Sequence, residues 1–251
     1  MNNYKIAIIM PEGIQYDYCI NNFLNSDLNI EIVFRFGSVK ESLKNTFKRV
    51  LFFHPKYRLE SIKLRNKSKA MKILKHELAV KVNDKRLSEI QTKLVEFNQD
   101  QIASEFRINN IDFAIIWGCP VLKPQIIEAV SGKIINAHTS LLPYYRGSFS
   151  EFWQFYNNDF KYAGITFHEV DSKIDTGGII FQIPASKADL KNPQVLRAYN
   201  SVRIAKNYVS VLKGILDSSL VPVQQHYVEN SKTYRMKDIT LEKEFKVYLN
   251  K

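Results

Sequence analysis

Five short apolar runs without regular polar alternation punctuate the first half of the chain: "YKIAIIM" (4–10), "IEIVFRF" (30–36), "LAVKV" (78–82), "IDFAIIWG" (111–118) and "KIINAH" (133–138). A strand with one wet face alternates apolar and polar residues. A strand that is apolar on both sides is buried on both, as in a parallel sheet covered by helices. Helical patterns fall between the runs, around Tyr16–Leu24, from the polar "NDKR" turn to about Phe106, and over Lys123–Val130. His54-Pro55 divides the segment before the third run into two helices, since proline disfavours helix at the residue before it. The expectation is an α/β fold with a Rossmann-like, mostly parallel sheet and helices on both faces.

The second half reads differently. "SFSEFWQFYNND" (148–159) is an amphipathic helix whose Phe149, Phe152, Trp153 and Tyr156 are read as core. "AGITFHEV" (163–170) and "GIIFQIPA" (178–185) are strands around the loop "DSKIDTGG". A long helix from about Pro193 to Asp217, a strand "VQQHYV" (223–228) and a polar tail "SKTYRMKDIT" follow. This divides the chain into a catalytic domain over 1–190 and a small C-terminal helix and hairpin appendage over 191–251.

The 251 residues suffice for a sizeable core. Neither of the longest apolar runs could span a bilayer. The first strand begins within a few residues of Met1, so no leader is read there, and Cys19 and Cys119 have no metal-site or disulfide spacing. The expected setting is a reducing cytoplasm, with no metal. The net charge of +11 is concentrated: between Ser38 and His76, twelve Lys or Arg stand against Glu41 and Glu60. Such density is either a solvated helical face or a surface for phosphate-bearing ligands, nucleic acid or an anionic membrane.

Two polar side chains end the fifth run. Strand alternation puts Asn136 and His138 on one face and the small Ala137 on the other. Ligands in open parallel sheets bind beyond such carboxyl ends, near a switch in strand order. A turn at "DTGG" can bring Asp175 back toward the sheet. Taken singly, each residue is as readily structural as chemical.

Together with the text around them they are more specific. "NAHTSLLPYYRG" and, after a Trp-containing helix, "GITFHEVDSKIDTGGIIFQ" resemble the catalytic signature of formyltransferases that use 10-formyltetrahydrofolate. Ser140–Pro143, Arg146-Gly147, Gly164–His168 and Asp175–Gly177 carry the match, which is strong over 111–185 and weak after 190. The resemblance implies that Asn136 and His138 stabilise the oxyanion of a tetrahedral intermediate. Asp175 would keep His138 charged and oriented and help remove the amine's protons through water. It also implies a pterin cleft lined by Trp117, Gly118, Cys119, Pro120, Val121, Leu122, Val170, Asp171 and Ile174, with an acceptor approaching past Tyr144, Tyr145 and Arg146. His168 is read as either a second imidazole of the site or a structural one.

The acceptor is less constrained. Glycinamide ribonucleotide calls for a glycine-rich phosphate loop after the first strand, where this chain has "MPEGIQYDYC". Methionyl-tRNA would use the basic segment, but those enzymes carry a further C-terminal barrel for which the text past Gln182 is short. The reading adopted is the primary amine of a nucleotide-linked amino sugar, in glycan biosynthesis. Methionyl-tRNA, another small amine and a non-catalytic binding homologue are the alternatives. The oligomeric state, monomer or homodimer, is open.

Overall fold

A computed structural model describes residues 4–37, 55–79, 84–94, 97–226, 228 and 231–249. Among the described residues seven strands form one sheet: β1 (Ile6–Pro11), β2 (Ile30–Phe36), β3 (Gln91–Leu94), β4 (Phe113–Ile116), β5 (Lys133–His138), β7 (Gly164–Glu169) and β8 (Ile179–Pro184), in the order β3-β2-β1-β4-β5-β7-β8. The first five are parallel; β7 runs antiparallel to β5, and β8 antiparallel to β7. The chain winds outward from β1 to β3 and then returns to lay β4 on the other side of β1. A crevice opens at that reversal, beyond the strand ends.

Alternation explains why the runs are apolar throughout. Ile6, Ile8 and Met10 of β1 join a core that includes residues of α1 (Ile14–Leu24) and α7 (Pro193–Leu216), whereas Ala7 and Ile9 join a second core with α4 (Gln99–Asn109) and α5 (Pro124–Ile127). Fully burying one such aliphatic side chain stabilises by about 1.5–3 kcal/mol. Helix ends are set locally. Asn98 accepts from the amides of Asp100 and Gln101 to start α4, and Asn110, at φ 52°, closes it. Asn192 caps α7, with Pro193 in its first turn.

α7 packs against α1 and α2 (Pro55–Glu77) and places Ala198, Val202, Ile204, Ala205, Tyr208, Val211 and Leu212 in the first core. A third cluster gathers Phe152 and Trp153 of α6 (Ser150–Asn157), Tyr145, and Val247 of α8 (Leu241–Tyr248). Phe149 and Tyr156 pack on it half-buried.

Two expectations change. Of the third strand expected at 78–82, Leu78 and Ala79 lie outside any strand, and 80–82 are outside the described residues. β3 occupies 91–94 instead, and the helix expected to reach Phe106 is divided into α3 (Asp84–Ile90) and α4. "QTKL" at the sheet's edge needs little more than the backbone ladder to β2, so its apolar signal is weak. Over 223–228 the only pairing among the described residues is a single bridge between Val223 and Ile179. Instead of a polar tail there are β9 (Thr233–Tyr234), which pairs with β6 (Arg146–Gly147), and α8, capped by the Thr240 hydroxyl. α2 begins at Pro55 among the described residues; the helix expected before it, and the break at His54, lie in 38–54, outside them.

Candidate active site

β5 carries Asn136 and His138 to the crevice, and pairing with β7 decides their neighbours. Asn136 stands opposite His168, and His138 opposite Thr166. Directly opposed residues share a face, so Asn136 Nδ2 lies 3.1 Å from His168 Nε2. Thr166 pins the loop beyond β5: its hydroxyl donates to the Ser140 carbonyl at 2.6 Å and accepts from the Leu142 amide at 3.0 Å. Ser140 Oγ donates to the Tyr144 carbonyl at 2.8 Å, closing the loop on itself.

That loop returns to His138. The Tyr145 carbonyl accepts from His138 Nε2 at 2.9 Å and from Ser150 Oγ at 3.0 Å. Two residues on, the Gly147 amide donates to Asp175 Oδ2 at 2.7 Å. Gly147, at φ 91°, is forced by β6–β9 pairing, because a Cβ there would stand 2.1 Å from the Tyr234 carbonyl oxygen.

Asp175 comes from the opposite side of the sequence. Its backbone is left-handed, at φ 52°, and Gly177 passes so close to Glu169 that a Cβ would lie 2.0 Å from that carbonyl oxygen. Gln225 clamps the turn by donating to the carbonyls of Asp175 and Gly177 at 3.0 and 2.7 Å. The carboxylate then reaches both imidazoles: Oδ2 is 3.5 Å from His138 Nδ1, and Oδ1 is 3.5 Å from His168 Nε2. Burial alone would raise the Asp175 carboxyl. His138, His168 and the Gly147 amide outweigh it and hold the group well below the usual carboxylate range.

The hydrogen-bond partners constrain the imidazoles. The Tyr145 carbonyl can only accept, so His138 Nε2 carries a proton. Its Nδ1 faces a carboxylate, so the doubly protonated ring satisfies both sides. His168 Nδ1 donates to the Glu169 carbonyl at 2.7 Å, leaving Nε2 for the Asn136 amide or Asp175.

A cleft of about 640 Å³ opens beside this group. Its lining includes Trp117, Gly118, Cys119, Pro120, Val121 and Leu122 after β4, and Val170, Asp171 and Ile174 after β7, together with Asn136, His138 and Asp175. Gly118 has φ 70° and lies against Tyr16, whose hydroxyl would be 2.5 Å from an added Cβ. The Tyr16 ring meets Trp117 edge-on at 4.6 Å. Cys119 donates to the Ile9 carbonyl, and burial pushes its thiol up to about 12. An apolar cleft with a few backbone and side-chain polar groups at one end suits a flat heterocycle.

Tyr144, Tyr145 and Arg146 are placed elsewhere. Arg146 Nη2 donates to Gln225 Oε1 at 3.2 Å. Tyr144 stacks on Tyr162 at 3.6 Å, and Tyr145 donates to Asp159 Oδ2 at 3.0 Å. Both tyrosines line a second cavity of about 520 Å³, with Asn157, Lys161, Lys232 and Tyr234. Tyr234 also borders the first cleft, so the two cavities share a wall. Gln225, Ser150 and Tyr16 are not legible as site residues in the sequence; His168 is, through its place two residues beyond Thr166. Among the described residues no group of three His, Cys, Asp or Glu could hold a metal, and no helix is long and apolar enough to cross a membrane.

With this geometry in view, comparison with known proteins is decisive. The formyl transferase family model matches residues 48–197, more than half of the chain. The chain belongs to the formyl transferase family. It is 30% identical over 132 residues to the methionyl-tRNA formyltransferase of Thermodesulfovibrio yellowstonii, a match covering 52% of this chain and 42% of that protein. To the phosphoribosylglycinamide formyltransferase of Bacillus subtilis it is 35% identical over 85 residues, covering 34% and 43%. The match thus spans less than half the length of these curated relatives. Among solved structures, a 4-N formyltransferase from Francisella tularensis has a TM-score of 0.61 at 16% identity, covering 99% of this chain and 88% of that one. WlaRD, a sugar 3N-formyl transferase solved in the presence of dTDP and 5-N-formyl-THF, has a TM-score of 0.62 at 19% identity, covering 96% and 73%. At such identities the likeness is one of fold.

Proposed function

We propose that this formyl transferase family member moves the formyl group of 10-formyltetrahydrofolate to the primary amine of a nucleotide-linked amino sugar. One observation carries the reading: Asn136, His138, His168 and Asp175 converge at one end of an apolar cleft. The residues after β4 and β7 fit a pterin, offering apolar walls from Trp117, Val121, Leu122, Val170 and Ile174 and a glycine where Tyr16 comes close.

His138 Nδ1 stands at an ion-pair distance from Asp175 rather than in a tight hydrogen bond, so its N–H is open to an oxygen entering the cleft. The Asn136 amide lies 3.1 Å from His168 Nε2 and carries two N–H groups, more than that one contact can use. Two donors therefore meet where negative charge develops as an amine adds to a formyl carbon. Asp175, anionic throughout the neutral range, orients His138 and accepts through water a proton from the attacking amine, which passes to the folate N10 as the bond between the formyl carbon and N10 breaks. Tyr144 and Tyr145 contribute to acceptor binding from the second cavity, which shares Tyr234 with the cleft, and Arg146 contributes through Gln225, which clamps the Asp175 turn.

Support for a sugar acceptor comes from WlaRD, the sugar 3N-formyl transferase whose fold matches nearly the whole chain. Glu12 after β1 is poorly suited to a phosphate there. The second reading is methionyl-tRNA as acceptor, favoured by identity to methionyl-tRNA formyltransferases. The protein incubated with 10-formyltetrahydrofolate and a panel of amino-sugar nucleotides should yield a formylated sugar, detected by mass spectrometry. Formylation of Met-tRNA alone overturns the sugar assignment, and no turnover with any amine overturns the transferase.

A further inference from the structure

The basic helix plays no part in the chemistry of the cleft. α2 buries Leu59, Asn66 and Leu74 along one side. Its outer side exposes Arg58, Arg65, Lys69, Lys72 and Lys75, none of which forms an ion pair among the described residues. The helix has two acids against eight lysines and arginines: Glu77 pairs with Lys206, and Glu60 shares Lys63 with Glu244 of α8. The outward charge is therefore almost purely positive, over a helix about 35 Å long.

Two large apolar side chains interrupt it. Leu64 is 66% exposed and Met71 41%. Seven residues apart, they lie two turns apart along one line, which Lys75 continues four residues beyond Met71, with Arg65 and Lys72 on the flank. A solvated face has no use for such a pair, and a phosphodiester backbone offers it no apolar partner. Tyr57, the one Phe, Trp or Tyr of α2, is half-buried, which leaves no exposed phenyl, phenol or indole ring for bases to stack on. A bilayer accommodates both features, since apolar side chains enter below the headgroups while lysine and arginine stems extend to the phosphates.

We propose that the outer face of α2 is a docking surface for an anionic lipid bilayer, with Leu64 and Met71 inserting and Arg58, Arg65, Lys69, Lys72 and Lys75 meeting the headgroups. The neighbouring sequence has the same sign: 38–54 contains Lys40, Lys44, Lys48 and Arg49 against Glu41. Charge complementarity therefore points to an acidic partner outside the chain.

Flotation of the full-length protein with vesicles tests this. Binding is expected with phosphatidylcholine vesicles containing phosphatidylglycerol, but not with phosphatidylcholine alone, and should weaken as salt is raised. Each cation near an anionic surface is worth about fivefold, so Lys69→Gln with Lys72→Gln should weaken binding about 30-fold. Leu64→Ser with Met71→Ser should weaken it about tenfold while circular dichroism stays unchanged. The proposal is overturned by absence of flotation, by equal binding to neutral vesicles, or by wild-type binding in either double variant. Preferential binding to an RNA duplex, unaffected by Leu64→Ser with Met71→Ser, would also overturn it and assign the face to nucleic acid.

Discussion

Asp175 is bound from three directions, by two imidazoles and a backbone amide. Asp175→Asn keeps the shape but removes the charge, and His138→Ala removes one of the two donors. Each should lower kcat by at least about 10²–10³-fold while the melting curve stays cooperative; near-normal turnover in either variant would refute these roles. The carboxylate's depressed pKa also links it to stability. Its contribution is complete above the unfolded value of about 4 and is lost as pH falls through the lower folded value. The Tm difference between wild type and Asp175→Asn should therefore shrink as the medium is acidified from neutrality towards about pH 2. A constant difference would show that the charge is not the stabilising element.

Loop geometry holds these side chains in place. Gly147 gives its amide to Asp175 and lies against the Tyr234 carbonyl, so Gly147→Ala must push β6 away from β9 and loosen the carboxylate together. We expect a loss of about 1–3 kcal/mol in chemical denaturation and a fall in kcat. Unchanged turnover would separate the β6–β9 pair from the site. The strands are tied in a comparable way. Tyr208, fully buried on α7, donates to the carbonyls of Ile116 at 2.8 Å and Ile135 at 2.6 Å. One hydroxyl proton serves two acceptors, one at the end of β4, where a cleft loop begins, and one inside β5 just before Asn136. Tyr208→Phe leaves those carbonyls short of a donor and should cost about 1–3 kcal/mol, read as a shifted denaturation midpoint at constant m-value.

Across the molecule, what could be read directly were the features with local physical causes. Central strands had to be apolar on both faces, so β1, β2, β4 and β5 were visible as runs, and the ends of β5 and β7 displayed Asn136, His138 and His168 at strand period. Signature text around them pointed to Asp175 and to the cleft residues after β4 and β7. Edge pairing and long-range closure left no such trace. β3 owes its place to a backbone ladder with β2, and β9 to two residues beside Gly147. Only folding showed that Gln225 holds the Asp175 turn, that Arg146 is tied to Gln225, and that Tyr144 and Tyr145 face a cavity of their own. Periodicity and local motif record which side of an element is buried, because that preference acts residue by residue. Which distant carbonyl a side chain reaches depends on how elements stack, and the local text carries no record of it.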